Sequence, residues 1–254
     1  MFRGPKLLFF PFDAKYFHKN PEGSSFLRID NERGALAHGT YIPFGKRLFL
    51  SNTPECLFEI RPCSQKRKKI LITRPIKGTI ICEKRLMMQA QWKKLKESQK
   101  EHAELSMIVD LMRNDLSRID RPIAVASKIK KRIKVPGLLH QYQEVKVLLS
   151  DQISYWDVLK NIFPGGSVTG APKQVAIKLI SQLEKEDRGN YCGTTLFLYK
   201  QKAMASLNIR SAEIKLDTHL FSVGAGSGIT LLSKNSDEYQ EMKQKVASFV
   251  DRYN

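Results

Sequence analysis

The sequence predicts an α+β fold, in which helices pack outside largely antiparallel sheets. Two observations support this prediction. Up to about residue 81, short alternating or apolar runs are separated by turn residues, which is typical of a β-meander. Farther along, the order is a long helix, mixed segments, a group of strands and a terminal helix, and strands grouped in this way favour antiparallel sheets.

The meander contains five predicted strands. Each is a short run rich in apolar, β-branched or aromatic residues, and turn residues lie between the runs. The predicted strands cover residues 26–29, 35–42, 47–50, 57–60 and 69–73.

A long helix is predicted next, because residues 83–119 contain neither glycine nor proline. Leu105, Ile108, Leu111 and Met112 form an apolar stripe near its end. Pro172 suits the first turn of a later helix. The remaining predictions are strands at 123–135, 144–149, 192–200, 203–216 and 219–224, and helices at 153–162, 172–185 and 236–251.

Composition raises one alternative, which is nucleic-acid binding. The chain has 254 residues, enough for one large domain or two small ones, and its 43 Lys and Arg against 25 Asp and Glu give a formal charge of +18. No RNA-binding aromatic motif, zinc-finger spacing or helix-turn-helix signature accompanies this charge. The charge is interpreted mainly as solvated surface. Neither nucleic acid nor a membrane is therefore predicted as a partner.

The four cysteines form no Cys-x-x-Cys pair and no zinc-type cluster, so they are predicted to be reduced thiols. The apolar run near the N-terminus is short and is broken by Pro11, which argues against a signal peptide. No later stretch is long and apolar enough for a membrane span. The sequence predicts a cytoplasmic protein.

Lys77 is the first candidate for chemistry. It lies in Arg74-Pro75-Ile76-Lys77-Gly78-Thr79, and Gly78 predicts a tight turn from a strand into a loop. Burial and the neighbouring Arg74 would lower the pKa of the Lys77 amine and make it a nucleophile. The alternative is a solvated lysine at the end of a strand.

Two glutamate pairs suit a divalent cation. Glu101 and Glu104 share one face of the long helix, and Glu238 and Glu241 repeat that spacing on the terminal helix. Two helices can thus present four carboxylates to one point, and carboxylate oxygens suit Mg²⁺. The alternative is that both pairs are solvated surface residues.

Several residues suit an anionic ligand. Gly226 and Gly228 can adopt positive φ and thereby expose backbone N–H groups to an anion. A dinucleotide-binding loop is the alternative, but the Gly-x-Gly-x-Gly spacing does not match it. Arg210, predicted in mid-strand, can clamp a carboxylate or can lie on the wet face of a sheet. Lys245 can add a second positive charge from the terminal helix.

Four blocks of the sequence resemble the chorismate-utilising enzymes. They are residues 104–118, residues 163–173 with the run Phe-Pro-Gly-Gly-Ser-Val-Thr-Gly-Ala-Pro-Lys, residues 208–212, and the stretch from 224–229 to 238–241. The resemblance implies a fold of two α/β halves whose sheets face each other across a cleft. The chain is similar to the C-terminal portion of that fold, with much of the N-terminal half lacking.

The resemblance also implies an activity. The motif Pro-Ile-Lys-Gly-Thr is similar to the branch of the family that aminates chorismate to 4-amino-4-deoxychorismate, whereas anthranilate synthases carry alanine in place of the lysine. Lys77 would attack ring carbon 2, ammonia would then enter at carbon 4, and Mg²⁺ would be required. The ammonia would come from a glutamine amidotransferase partner, and the product would serve p-aminobenzoate and folate synthesis.

The resemblance assigns roles to individual residues. Glu55 matches a general acid and His140 a histidine near the substrate, although a loop glutamate and a structural strand histidine are the alternatives. Glu104 and Glu238 match metal-binding positions, with Glu101 and Glu241 as outer partners. Substrate binding is assigned to Arg210, Gly226, Gly228, Lys245 and Thr169.

The sequence departs from the family in three places. Only 52 residues precede the block that begins at Thr53, Phe197 stands where the family has tyrosine, and Ser227 replaces a smaller residue. Residues 1–47 are interpreted as a divergent β-rich segment and residues 48–254 as the chorismate-binding domain. Two alternatives remain, namely a non-catalytic remnant or binding subunit, and anthranilate synthase component I.

Overall fold

The computed structural model describes residues 8–11, 38–120, 124–135, 137–218, 220–231 and 233–250. Within these ranges the strands form three sheets, and every pair of neighbouring strands is antiparallel. The first sheet pairs the first described strand with the last. Its strands are β1 (Leu8–Pro11), β2 (His38–Phe44), β3 (Arg47–Thr53), β13 (Ser211–Lys215) and β14 (Leu220–Val223), in the order β1-β14-β13-β3-β2.

The second sheet has six strands and the third has three. The six-stranded sheet contains β4 (Cys56–Pro62), β5 (Lys68–Thr73), β7 (Val125–Ala126), β10 (Val145–Ser150), β11 (Thr194–Tyr199) and β12 (Lys202–Leu207), in the order β11-β12-β4-β5-β10-β7. The three-stranded sheet contains β6 (Ile76–Ile81), β8 (Lys131–Val135) and β9 (Leu138–Tyr142), in the order β6-β9-β8.

Six α-helices accompany the sheets in the described ranges. They are α1 (Met88–Glu97), α2 (Gln99–Asp120), α3 (Tyr155–Ile162), α4 (Gly166–Thr169), α5 (Lys173–Leu183) and α6 (Asn235–Val250). Among the described helices, none combines the length and apolarity that crossing a bilayer requires. The prediction of antiparallel sheets with helices outside them is confirmed.

The main core lies between the six-stranded sheet and the helices α2 and α3. The predicted stripe on α2 is confirmed for Leu105, Ile108 and Met112, which are buried together with Phe58 of β4 and Val158 of α3. Residues three to four apart share a helix face, so this stripe turns α2 toward the sheet. The polar face of α2 is left to carry the glutamates.

The prediction of one unbroken helix over residues 83–119 is wrong. Ser98 is extended, with ψ 111°, and separates α1 from α2. The Ser98 hydroxyl accepts a hydrogen bond from the backbone N–H of Glu101 at 3.4 Å. Ser98-Gln99-Lys100-Glu101 has the Ser-x-x-Glu spacing of a capping box, which is the sequence signal for this helix start.

Two strand predictions need correction, and one strand was missed. The strand predicted at 203–216 is two strands, β12 and β13, which belong to different sheets. The strand predicted at 123–135 comprises only the short β7 and β8, and β9 was not predicted. The predictions at 47–50, 57–60 and 69–73 are confirmed as β3, β4 and β5, whereas 26–29 lies outside the described residues.

A β-hairpin crosses the predicted division after residue 47. Strand β2 pairs with β3 along its whole length, from His38 opposite Thr53 to Phe44 opposite Arg47. The division into residues 1–47 and 48–254 stays a prediction, but these two strands belong to one sheet.

Candidate active site

The candidate site lies where the chain passes twice from one sheet to another. Pro54 and Glu55 connect β3 to β4, and residues 208–210 connect β12 to β13. Two backbone hydrogen bonds hold these crossings side by side: Asn52 N–H donates to Arg210 C=O at 2.9 Å, and Leu207 N–H donates to Glu55 C=O at 3.0 Å. Arg210 therefore lies at a bend between sheets, and the prediction that it lies in mid-strand is wrong.

Glu55 is a buried carboxyl, only 6% exposed. The Ser167 hydroxyl of α4 donates to its Oε1 at 2.7 Å. Burial raises the pKa of Glu55 to about 7, although Ser167 and the nearby charge of Lys77 act in the opposite direction. Such a carboxyl is partly protonated near neutral pH and can act as a general acid. Ser167 lay within a quoted motif, but nothing in the sequence indicated its contact with Glu55.

Lys77 belongs to strand β6, so the prediction of a strand-to-loop turn at this residue is wrong. Gly78 instead has φ +85° and forms a bulge, at which the pairing with β9 shifts by one residue. A Cβ on Gly78 would lie 2.9 Å from Gln141 Nε2 and 2.9 Å from Glu101 Oε2. Glycine is favoured here, because the positive φ would strain any other residue and the Gln141 and Glu101 side chains would have to shift.

The Lys77 ammonium points toward the segment after β14. Its Nζ lies 3.2 Å from the point that a Cβ on Gly228 would occupy. At Glu55, burial raises the pKa and the charge of Lys77 acts against it. At Lys245, burial lowers the pKa and the charge of Lys77 lowers it further. Lys77 is thus close to the buried acid and to a second amine.

Arg74, which was predicted to act on Lys77, pairs with two carboxylates. Its guanidinium forms ion pairs with Glu59 at 3.1 Å and with Glu144 at 3.1 Å. These carboxylates balance its charge, so Arg74 joins β4, β5 and the start of β10. Among the cations near Lys77, the one that the structure identifies is Lys245.

His140 on β9 is 5% exposed. Its Nδ1 is paired with the Thr79 hydroxyl at 3.0 Å, and its Nε2 is buried without a hydrogen-bond partner among the described residues. Burial lowers the pKa of His140 to about 3, and the positive charges of Arg210 and Lys245 add to this. At neutral pH the ring is therefore uncharged and suited to hydrogen bonding, not to storing a proton.

Arg210 and Lys245 lie close enough to each other for their charges to interact. Burial lowers the pKa of Lys245, and the charges of Arg210 and Lys77 lower it further, while its ion pair with Glu241 at 2.7 Å raises it. Three cations near one another attract an anion, and a dicarboxylate would relieve their repulsion. The arrangement suits an anionic ligand.

Gly226 and Gly228 contribute differently from the prediction, because neither is among the described glycines with positive φ. A side chain at either position would be crowded. A Cβ on Gly226 would lie 3.1 Å from the Tyr191 hydroxyl, and one on Gly224 would enter the Tyr191 ring. The chain after β14 therefore rests on Tyr191, a residue that no sequence motif indicated.

The predicted metal ligands lie at the start of α2 and α6. Glu238 is 5% exposed and accepts hydrogen bonds from the hydroxyls of Ser227 and Ser233, the latter at 2.7 Å. Burial raises the pKa of Glu238, but these hydroxyls and Lys100 outweigh it, so that the pKa lies below its usual value. Ser227, noted as a departure, thus supports a carboxylate.

Two of the other three carboxylates, Glu104 and Glu241, lie near Glu101, and Lys100 lies between Glu104 and Glu238. Burial raises the pKa of Glu101, and the charges of Glu104 and Glu241 raise it further. No three acidic, histidine or cysteine side chains in the described ranges are close enough to form a ready-made metal cage. Mg²⁺ usually takes only one or two carboxylates and keeps its waters, so this oxygen-rich and negatively charged set fits it.

Two further positions from the sequence analysis, Thr169 and Phe197, lie on regular elements. Thr169 closes α4, because its hydroxyl donates to Gly165 C=O at 3.1 Å. Phe197 lies on β11 and is 45% exposed. The assignment of Thr169 to substrate binding stays a prediction.

Comparison with known proteins gives a consistent result. Residues 30–251 match the family of chorismate binding enzymes. Over 241 residues the chain is 38% identical to aminodeoxychorismate synthase component 1 of Salmonella typhimurium, covering 92% of this chain and 50% of that protein. It is 31% identical over 209 residues to anthranilate synthase component 1 of Aeropyrum pernix, covering 82% of this chain and 47% of that protein.

A solved structure supports the fold. The menaquinone-specific isochorismate synthase of Escherichia coli matches with a TM-score of 0.75 at 22% identity, covering 89% of this chain and 51% of that protein. The chain therefore spans about half the length of these relatives.

Proposed function

The chain belongs to the family of chorismate binding enzymes, and from that premise we propose that it aminates chorismate to 4-amino-4-deoxychorismate with Mg²⁺ bound at the start of α2 and α6. The observation that carries the proposal is the position of Lys77, whose amine lies next to Gly228 and near the buried acid Glu55. The likeness to the Salmonella aminodeoxychorismate synthase component supports it.

Substrate binding would use the cations of the site. Chorismate carries two carboxylates, and Arg210 and Lys245 offer two positive charges beside the close-packed glycine segment. The buried, neutral His140 has an Nε2 available for a hydrogen bond to the substrate. Bound Mg²⁺ would neutralise one carboxylate, with Glu104 and Glu238 as its closest protein ligands and Glu101 and Glu241 around them.

The chemistry would then take two steps. The Lys77 ammonium first releases a proton to solvent. Its amine then attacks ring carbon 2, and the electrons shift so that the carbon 4 hydroxyl leaves as water with the proton of Glu55. Ammonia next attacks carbon 4 and the Lys77 amine leaves carbon 2. The new ammonium gives one proton back to Glu55, so that the acid is restored and protons balance.

The ammonia source is a further part of the proposal. The relative from Salmonella is named component 1, which fits an enzyme whose ammonia comes from a separate glutamine amidotransferase. The proposed setting is p-aminobenzoate and folate synthesis in the cytoplasm.

The activity test supplies chorismate, MgCl₂ and ammonium chloride to the purified chain and separates the products by chromatography. We expect 4-amino-4-deoxychorismate. Lys77→Ala should lose most of this turnover, and mass spectrometry of the quenched wild type should show added mass on the peptide that contains Lys77. Lys202→Ala, on an exposed position of β12, is the matched control and should keep full activity.

Three results would contradict the proposal. Formation of anthranilate would assign the chain to the anthranilate synthase branch of the family. Equal turnover by the wild type and Lys77→Ala would show that Lys77 is not the nucleophile. Binding of chorismate in calorimetry without any turnover would favour a binding subunit.

A further inference from the structure

Lys100 joins the two helices that carry the proposed metal ligands. It lies in the first turn of α2, and its Nζ is 3.5 Å from Glu238 Oε1 and 4.0 Å from Glu104 Oε1. The ammonium therefore stands between the carboxylates that we assign to Mg²⁺. No motif in the sequence indicated a role for this lysine.

Glu238 needs a positive charge close by. Its side chain is only 6% exposed, and a carboxylate removed from water is costly unless a cation or hydrogen bonds compensate it. Ser227 and Ser233 supply hydrogen bonds, and Lys100 supplies a charge. In the protein without metal, Lys100 thus provides what a bound cation would provide.

The geometry of this contact is loose enough to be exchanged. Mg²⁺ binds oxygen at about 2.0–2.1 Å, whereas the Lys100 distances are 3.5 and 4.0 Å. The Lys100 side chain is 38% exposed, and a flexible four-carbon stem can carry its ammonium into solvent. A dication and an ammonium placed between the same two carboxylates would repel each other.

We propose that Lys100 is an internal counter-ion of the metal site, which occupies the space between Glu104 and Glu238 in the absence of metal and moves to solvent when Mg²⁺ binds. This inference rests on the metal site of the proposed function. It assigns Lys100 a positioning role: it holds α2 and α6 together in the metal-free protein, and it competes with Mg²⁺ for the carboxylates.

The experiment is a calorimetric titration of the whole chain with MgCl₂ at fixed ionic strength, without substrate. Lys100→Met should bind Mg²⁺ about tenfold more tightly than the wild type, which corresponds to about 1.4 kcal/mol. Lys100→Arg keeps the charge and should bind close to the wild type. The matched control is Lys93→Met, because Lys93 also pairs with a glutamate, Glu97, at 4.0 Å, but on an exposed surface.

A second measurement tests the metal-free state. In EDTA, Lys100→Met should melt at a lower temperature than the wild type, because Glu104 and Glu238 lose their counter-ion. Saturating MgCl₂ should then raise its melting temperature by more than it raises that of the wild type. Lys100→Gln gives the same comparison if the methionine variant does not fold.

The outcomes separate the two ideas. If the wild type and Lys100→Met bind Mg²⁺ equally, or the variant binds more weakly, the counter-ion role is refuted and the metal site stands. If neither protein binds Mg²⁺, both the metal site and the counter-ion role fail. The amine chemistry of Lys77 is then judged by the adduct on its peptide alone.

Discussion

Replacing Glu55 by glutamine isolates the free energy that its buried charge costs. Glutamine keeps the shape of the side chain and can still pair with Ser167, but it does not titrate. In the wild type, burial raises the pKa of Glu55 from its ordinary 4.5 to about 7. The folded state therefore binds this proton more tightly than the unfolded state does.

The sign and size of the effect follow from this difference. A carboxyl whose folded pKa is raised destabilises the protein as pH increases, because the folded state has to release a proton that it holds tightly. The loss is about 1.4 kcal/mol for each pH unit between 4.5 and about 7, or about 3 kcal/mol in all. Below that range Glu55 is neutral in both states and costs nothing.

Urea unfolding of both proteins over a series of pH values measures this directly. The free energy of unfolding of Glu55→Gln minus that of the wild type should grow by about 3 kcal/mol from about pH 4.5 to above pH 7. Glu59→Gln serves as the control. The pKa of Glu59 is lowered because ion pairs outweigh the effect of burial. The free energy of unfolding of Glu59→Gln minus that of the wild type should therefore stay constant above about pH 5.5. A constant difference for Glu55→Gln as well would refute the buried-acid reasoning.

Three further predictions concern the same site. Gly78→Ala should lower the free energy of unfolding by about 1–3 kcal/mol in urea unfolding, since φ +85° and the contact with Gln141 both oppose a side chain; unchanged stability would mean that the bulge relaxes. Ser167→Ala should move the alkaline limb of the pH–activity profile to higher pH, because the Ser167 hydroxyl lowers the pKa of Glu55. If the limb does not move, its titration belongs to a group other than Glu55. Phe197→Tyr should tighten chorismate binding in calorimetry about tenfold or more, since a hydrogen bond to a charged group contributes about 1.5–3 kcal/mol; an unchanged affinity would show that the hydroxyl does not reach the substrate.

The regular elements with simple patterns could be predicted from the sequence. Strands β3, β4 and β5 and the apolar stripe of α2 follow directly from alternation and helical spacing. Strand β9 could not be predicted in this way. Its central residues, His140 and Gln141, are polar yet 5% and 0% exposed, so the alternation of apolar and polar residues is missing.

The sequence indicated candidate residues for the site but not their contacts. The sequence motifs indicated Lys77 and Glu55, and the structure places them close together. The contacts of Ser167 with Glu55 and of Lys100 with Glu238 join residues 112 and 138 positions apart, and no local pattern reports such pairs. The ion pairs of Arg74 with Glu59 and Glu144 likewise had no signal in the sequence.

The order of the five-stranded sheet has a consequence for how the protein is made. Strand β3 ends at residue 53, but its neighbour β13 begins only at residue 211. A ribosome that adds about 5–20 residues each second needs roughly 10–30 s to cover that interval. For that time the nascent hairpin of β2 and β3 has an unpaired edge with Leu48, Phe49 and Leu50, which are buried in the finished sheet. Soluble yield should therefore depend on protection of this edge during synthesis, and lower expression temperature or chaperone supply should raise it.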